Sequence, residues 1–62
     1  MNTSDPKSTL RSTLVQKQEL VRDYQTIANV VQDKDVAKMY KHFAEAEALH
    51  ATEIKEKLDS LS

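Results

Sequence analysis

The chain has 62 residues, 39% hydrophobic and 31% charged, with no Gly, no Cys, no Trp and a single Pro. Such a length supports one domain, 1–62, whose core is marginal without a staple, and the missing Cys excludes both disulfides and thiolate metal sites. Nine Lys and Arg against ten Asp and Glu leave a net charge of −1 with the signs interspersed, so no basic face is present for nucleic acid.

Ser4-Asp5-Pro6 predicts a helix start. Asp5 can accept from the free amides of the first turn, and Pro6 has no N–H to lose at the first helical position. A helix over about 6–32 follows, with Leu10, Leu14, Val21, Tyr24, Ala28 and Val31 on one stripe and Leu20 and Ile27 widening it. The one interruption is Gln32-Asp33-Lys34-Asp35, where either Asp could cap a second helix over about 35–60. In that helix the stripe is Val36, Tyr40, Phe43, Ile54 and Leu61, with Met39, Ala51 and Leu58 alongside. Each helix would be about 40 Å long, and so short a connection turns them antiparallel.

The expected fold is therefore all-α, an antiparallel helical hairpin. Stripes this wide exceed what two helices can cover, so two hairpins are expected to pack face to face as a homodimer, completing a four-helix bundle. The absence of Gly excludes Gly-bearing hairpin turns and phosphate-cradling loops. Met1–Pro6 lacks the apolar stretch of a secretory signal, and no apolar run exceeds two residues, so neither export nor a membrane span is expected. The expected location is the cytoplasm.

Polar residues interrupt both stripes. The second-helix seam, traced through 36, 40, 43, 47, 50, 54 and 61, meets Glu47 and His50, one turn apart. The first-helix seam meets Lys17. A fold at residues 33–35 sets facing residues at numbers summing to about 68, so Lys17, Glu47 and His50 are expected at one interior level. Burying an ammonium, a carboxylate and an imidazole is costly unless they satisfy one another or a metal. Two ways of satisfying them are open. Glu-x-x-His on a helix can direct an oxygen and a nitrogen at one iron, manganese or zinc ion. Alternatively, Lys17, Glu47 and His50 from two copies, neutral in sum when the imidazole is neutral, form a metal-free buried network that fixes register.

The segment from Ala37 to Ala51, AKMYKHFAEAEALHA, resembles the second helix of ferritin-like and rubrerythrin-like proteins, and Tyr24-Gln25-Thr26-Ile27-Ala28 resembles the Tyr-bearing part of their first helix. The resemblance spans most of residues 17–58, half of a four-helix domain, and implies a single-hairpin member that dimerises. It implies Glu47 and His50 as iron ligands, and a further Glu seven residues before Tyr24. That position is Lys17, whose ammonium repels a divalent cation, while Glu19, the nearest carboxylate, is expected to face solvent.

On these grounds the expected function is structural or interactive, without catalysis and without a cofactor, built on a homodimeric half-bundle with a buried Lys17/Glu47/His50 layer. The first alternative is a metalloprotein holding iron, manganese or zinc on Glu47 and His50 at the dimer interface. The second is a helical adaptor whose stripe receives a partner's helix. Tyr24 and Tyr40 sit on the stripe as core aromatics, with a supporting role around the Glu47/His50 site as the alternative. His42 is expected to be a surface residue, and Glu53 and Lys57 an i,i+4 pair. No Ser–His–Asp or Gly-x-Ser-x-Gly arrangement is present, and no small-molecule substrate is indicated.

Overall fold

The computed structural model describes residues 5–62; Met1–Ser4, including the Ser4 of the expected helix start, lie outside the described residues. Two helices account for nearly all of the rest: α1, Pro6–Val30, and α2, Lys34–Leu61. They pack side by side as a hairpin, and the described residues contain no strand.

Each helix begins on an aspartate. The Asp5 carboxylate accepts from the amides of Lys7 (3.1 Å) and Ser8 (3.4 Å), with Pro6 in the first turn. Of the two candidates for the second cap, the structure uses Asp33, which accepts from Asp35 (2.9 Å) and Val36 (3.0 Å). Asp35 then falls in the first turn of α2, where its charge complements the positive end of the helix dipole. The first helix thus ends two residues earlier than its apolar pattern suggested. Val31 leaves helical geometry at φ −71°, ψ 136°, while its amide still donates to the Ile27 carbonyl (2.9 Å). The connection is only Val31-Gln32-Asp33, and no described residue takes a positive φ. Val31 and Asp33 are both extended, so the chain reverses direction without a left-handed residue, the conformation for which glycine is usually used.

The turn centres on Gln32 rather than on 33–35, and this resets the register between the helices. Lys17 meets Glu47 and Tyr24 meets Tyr40, pairs whose numbers each add to 64, not 68. His50 is accordingly level with Leu14, not with residue 18.

The line of α2 that faces α1 also differs from the expected seam. Ala44 and Ala51 are its buried residues, so the inward line is the heptad Ala37-Ala44-Ala51-Leu58 with Tyr40-Glu47-Ile54 beside it. Small side chains at the closest approach let larger ones interlock on either side. Opposite them, Leu14, Val21 and the buried Ala28 alternate with Leu10, Lys17, Tyr24 and Val31. Val36, Met39, Phe43 and His50 lie to one side of the inward line, and Met39 and Phe43 remain 49% and 42% exposed.

The result is a slab of 43 × 22 × 12 Å, about one helix thick. Its three buried apolar residues are alanines, and among the described residues no large side chain is fully buried. No described helix is long and apolar enough to cross a membrane.

Candidate functional site

The hairpin brings Lys17, Glu47 and His50 together at mid-height. Lys17 rises from the middle of α1 and places its Nζ 2.9 Å from Oε1 of Glu47. His50, one turn beyond Glu47 on α2, directs Nδ1 at the same oxygen from 3.2 Å. An ionised carboxylate only accepts, so in this contact Nδ1 is the donor. Oε1 of Glu47 is therefore shared by an ammonium on the opposite helix and an imidazole on its own.

Coverage differs across the three. The Glu47 side chain is 16% exposed, Lys17 27% and His50 50%. None is buried within a single chain. Glu47 and Lys17 stand between the helices because both lie on inward heptad lines, whereas His50 lies about 100° around α2 from Ala51 and stands on the flank. The Lys17 hydrogen bond, then that of His50, lowers the Glu47 carboxyl below its ordinary value of 4.5 against a smaller opposing effect of desolvation. The carboxylate is thereby held ionised.

The neighbouring levels are apolar. Toward the turn, Tyr24, Tyr40 and Phe43, which are all the aromatic residues of the chain, pack mutually with ring centroids 5.3–5.8 Å apart and tilted or edge-on planes. Toward the termini, Leu10 and Ile54 floor an open groove rimmed by Lys17, His50, Glu53 and Lys57. The two tyrosines belong to this apolar packing; neither reaches the Glu47 carboxylate in the contacts among the described residues.

The charged exterior is as ordinary as the sequence implied, with one difference. Glu19 faces solvent, and His42 stands exposed with Nδ1 3.4 Å from Oε1 of Glu45. Glu53 and Lys57 form no ion pair among the described residues; both turn instead to the groove rim beside Lys17 and His50.

A resident metal does not fit these donors within one chain. They comprise one carboxylate and one imidazole, and the carboxylate oxygen lies 2.9 Å from an ammonium that would oppose a divalent cation. Among the described residues, no three His, Cys, Asp or Glu side chains cluster in a way that could hold an ion. What the arrangement can do chemically is pair charge across the two helices and lock their relative height.

Large apolar residues at three-and-four spacing leave out Ala44 and set Ala51 alongside the stripe, although both are buried, and they put on the stripe Phe43, which is 42% exposed. The seven-residue recurrence of Ala37, Ala44 and Ala51 is the signal that identifies the inward line. Compared with family models, with characterised proteins and with solved structures, the chain matches none.

Proposed function

We propose that the protein is a small structural or interaction module, a ferritin-like half-bundle that works as a homodimer and performs no catalysis. The observation that carries this reading is the unfinished interior. Among the described residues, a slab one helix thick buries only three alanines and leaves Met39 and Phe43 nearly half exposed. Met39 and Phe43 lie one turn apart on one side of α2, neighbouring exposed apolar side chains favour association, and a second hairpin supplies a matching face of the same length. In that dimer the Lys17/Glu47/His50 levels of both chains become enclosed, and their mutual pairing is what makes the enclosure tolerable. The ferritin-like part of the reading rests on the Tyr-bearing first helix and the Glu47-Ala48-Leu49-His50 pattern. Lys17 in place of a carboxylate favours scaffold over metal centre.

Sedimentation equilibrium over a wide concentration range tests the proposal directly, with a reversible dimer as the expected result. A chain that stays monomeric and loosely folded at every concentration defeats it in favour of an adaptor awaiting another protein's helix. Elemental analysis after refolding with iron, manganese or zinc provides the second arm. Stoichiometric metal that disappears in Glu47→Ala would replace the scaffold with a metalloprotein.

A further inference from the structure

Pair by pair the charged surface is ordinary, but its signs are unevenly spread over the slab. At about 100° per residue, Lys34, Lys38 and Lys41 project from α2 on the side opposite Phe43 and His50. Arg22, Gln18, Gln25 and Asn29 project from α1 on the side opposite Leu20 and Ile27. Both sides belong to one face of the hairpin, because a groove between the helices is lined by Val21 and Gln25 of α1 and by Lys41 and Glu45 of α2. Of the chain's nine Lys and Arg, only Lys17 and Lys57 lie off this face, and of its ten Asp and Glu, only Glu45, Glu56 and Asp59 lie on it. Seven cations therefore stand with three acids there, an excess of four, in a chain whose net charge is −1. Signs that alternate along the chain are sorted by folding, so a basic face exists that the order of residues does not show.

The excess gathers at the turn end. Lys34, Lys38 and Lys41 each lie one turn from the next, and the register of the helices sets Arg22 level with His42. All four cations are exposed, and among the described residues Lys17 is the one Lys or Arg that makes an ion pair. An open depression over Ala37 is rimmed by Lys34, Lys38, Lys41 and His42, and it meets the interhelical groove at Lys41 and Glu45. Two carboxylates are near, and both are turned elsewhere. Glu45 lies 3.4 Å from Nδ1 of His42, and Asp33 accepts from the first amides of α2. Toward the termini the face loses its sign, because Glu56 and Asp59 stand among Lys7, Arg11 and Lys55.

We infer that the turn end of this face binds double-stranded nucleic acid through its backbone phosphates, without reading sequence. Arg22, Lys34, Lys38 and Lys41 repel one another, and a partner with regularly spaced negative charges relieves that repulsion. Backbone phosphates also accept from neutral amides, which Gln18, Gln25 and Asn29 supply along α1. Two observations select a duplex. Single strands are held by stacking bases on aromatic rings, whereas Tyr24, Tyr40 and Phe43, all the aromatics of the chain, pack on one another away from this face. An anionic membrane is a plane, and a plane laid on this face would meet Glu56 and Asp59 as well as the lysines. A rod crossing the slab at its turn end meets the cations alone. The inference goes beyond the homodimer proposed above and does not depend on it. One hairpin carries the whole site, and a dimer closed over Phe43 leaves the site free on both outer sides of the bundle.

Fluorescence anisotropy of a labelled DNA duplex about two helical turns long, titrated with the full chain, tests this. With Arg22 and the three lysines each on a phosphate, the log–log salt slope is expected at about −3.6, a loss on the order of 100-fold between about 50 and 200 mM salt. Lys34→Gln/Lys38→Gln/Lys41→Gln should weaken binding at least about tenfold at the lower salt and flatten the slope to about −1. A control with the same change in net charge, Gln16→Glu/Ala46→Glu/Lys57→Gln, alters exposed positions off the face and should keep the wild-type slope. Circular dichroism confirms that both variants are helical, and a second duplex of unrelated sequence should bind equally. No binding at the lower salt, or equal losses in the two variants, overturns the site. Phosphatidylserine vesicles that bind the chain when the duplex does not assign the face to a lipid surface and overturn the nucleic-acid partner. A wild-type chain that is monomeric at every concentration and still binds the duplex removes the homodimer and leaves this inference standing.

Discussion

Two adjacent levels of the hairpin join α1 to α2 by different physics. Tyr24, Tyr40 and Phe43 meet over broad apolar surfaces with tilted rings, whereas Lys17 and Glu47 meet through one oxygen at 2.9 Å, with His50 on the same atom. The aromatic level tolerates small displacements, because dispersion and area change slowly with position. The charged level does not, because a shift of one residue would separate the charges and leave a half-covered carboxylate with no ammonium. Stability is therefore expected mainly from the first and register from the second. Their difference can be tested by removing each in turn.

The largest effect is expected from the aromatic level. Tyr24→Ala strips one side from both of the rings that it touches on α2. A large-to-small change at a half-buried aromatic site costs about 2 kcal/mol, less than the full core penalty, so Tm falls by on the order of 10 °C. Thermal unfolding followed by circular dichroism reads this directly. A change of only a degree or two would mean that the three rings do not hold the helices together. Register is expected to survive, because Lys17 and Glu47 are untouched.

Breaking the charged level sharpens the contrast. Lys17→Met removes the ammonium and leaves the Glu47 carboxylate facing an apolar side chain, so Tm is expected to fall, though by less than in Tyr24→Ala. Adding Glu47→Leu removes the stranded charge, and the double variant should regain most or all of the lost Tm, as ion pairs replaced by apolar residues commonly do. Specificity is the property that should be lost. The loss should show as a broader, less cooperative melting transition at unchanged helix content by circular dichroism. A double variant no more stable than Lys17→Met, or one that melts as sharply as the wild type, would remove the register role from this level.

The same contrast explains what the sequence disclosed. Both helices, the Asp5 cap and the antiparallel turn were legible because each depends on a local pattern: apolar recurrence, a capping carboxylate, a short polar break. The contacts of Glu47 with Lys17 and His50 were legible because all three interrupt an apolar stripe, but the expected interior level was not, since none of the three is buried and His50 stands on the flank. Two features depended on the turn and on the closest approach of the helices, which local spacing does not encode. The choice of Asp33 over Asp35 shifted facing numbers from 68 to 64 and moved His50 opposite Leu14. The preference of the tight contact for Ala44 and Ala51 over Phe43 and His50 turned the inward face by about a quarter turn. Large residues mark the apolar arc, but small ones mark where two backbones can touch.

The smallest expected effect is the pH dependence of the charged level, and its sign follows from the pairing. Lys17 first, then His50, lowers the Glu47 carboxyl below 4.5 in the folded chain, whereas the unfolded chain keeps the ordinary value. The folded state thus binds this proton less readily than the unfolded state, so stability from Glu47 is fully present above 4.5 and is lost as pH falls through the lower, folded-state value. Wild-type and Glu47→Gln melting curves measured side by side should be offset by a constant amount above pH 4.5 and draw together below it. Because one carboxylate near the surface is involved and water screens it in part, the offset is expected to be smaller than the Tyr24→Ala effect. It should also shrink in molar salt, while the aromatic variant's deficit should not. An offset that persists unchanged to pH 2 would mean that Glu47 acts through its shape rather than its charge, and the distinction between the two levels would fail at that point.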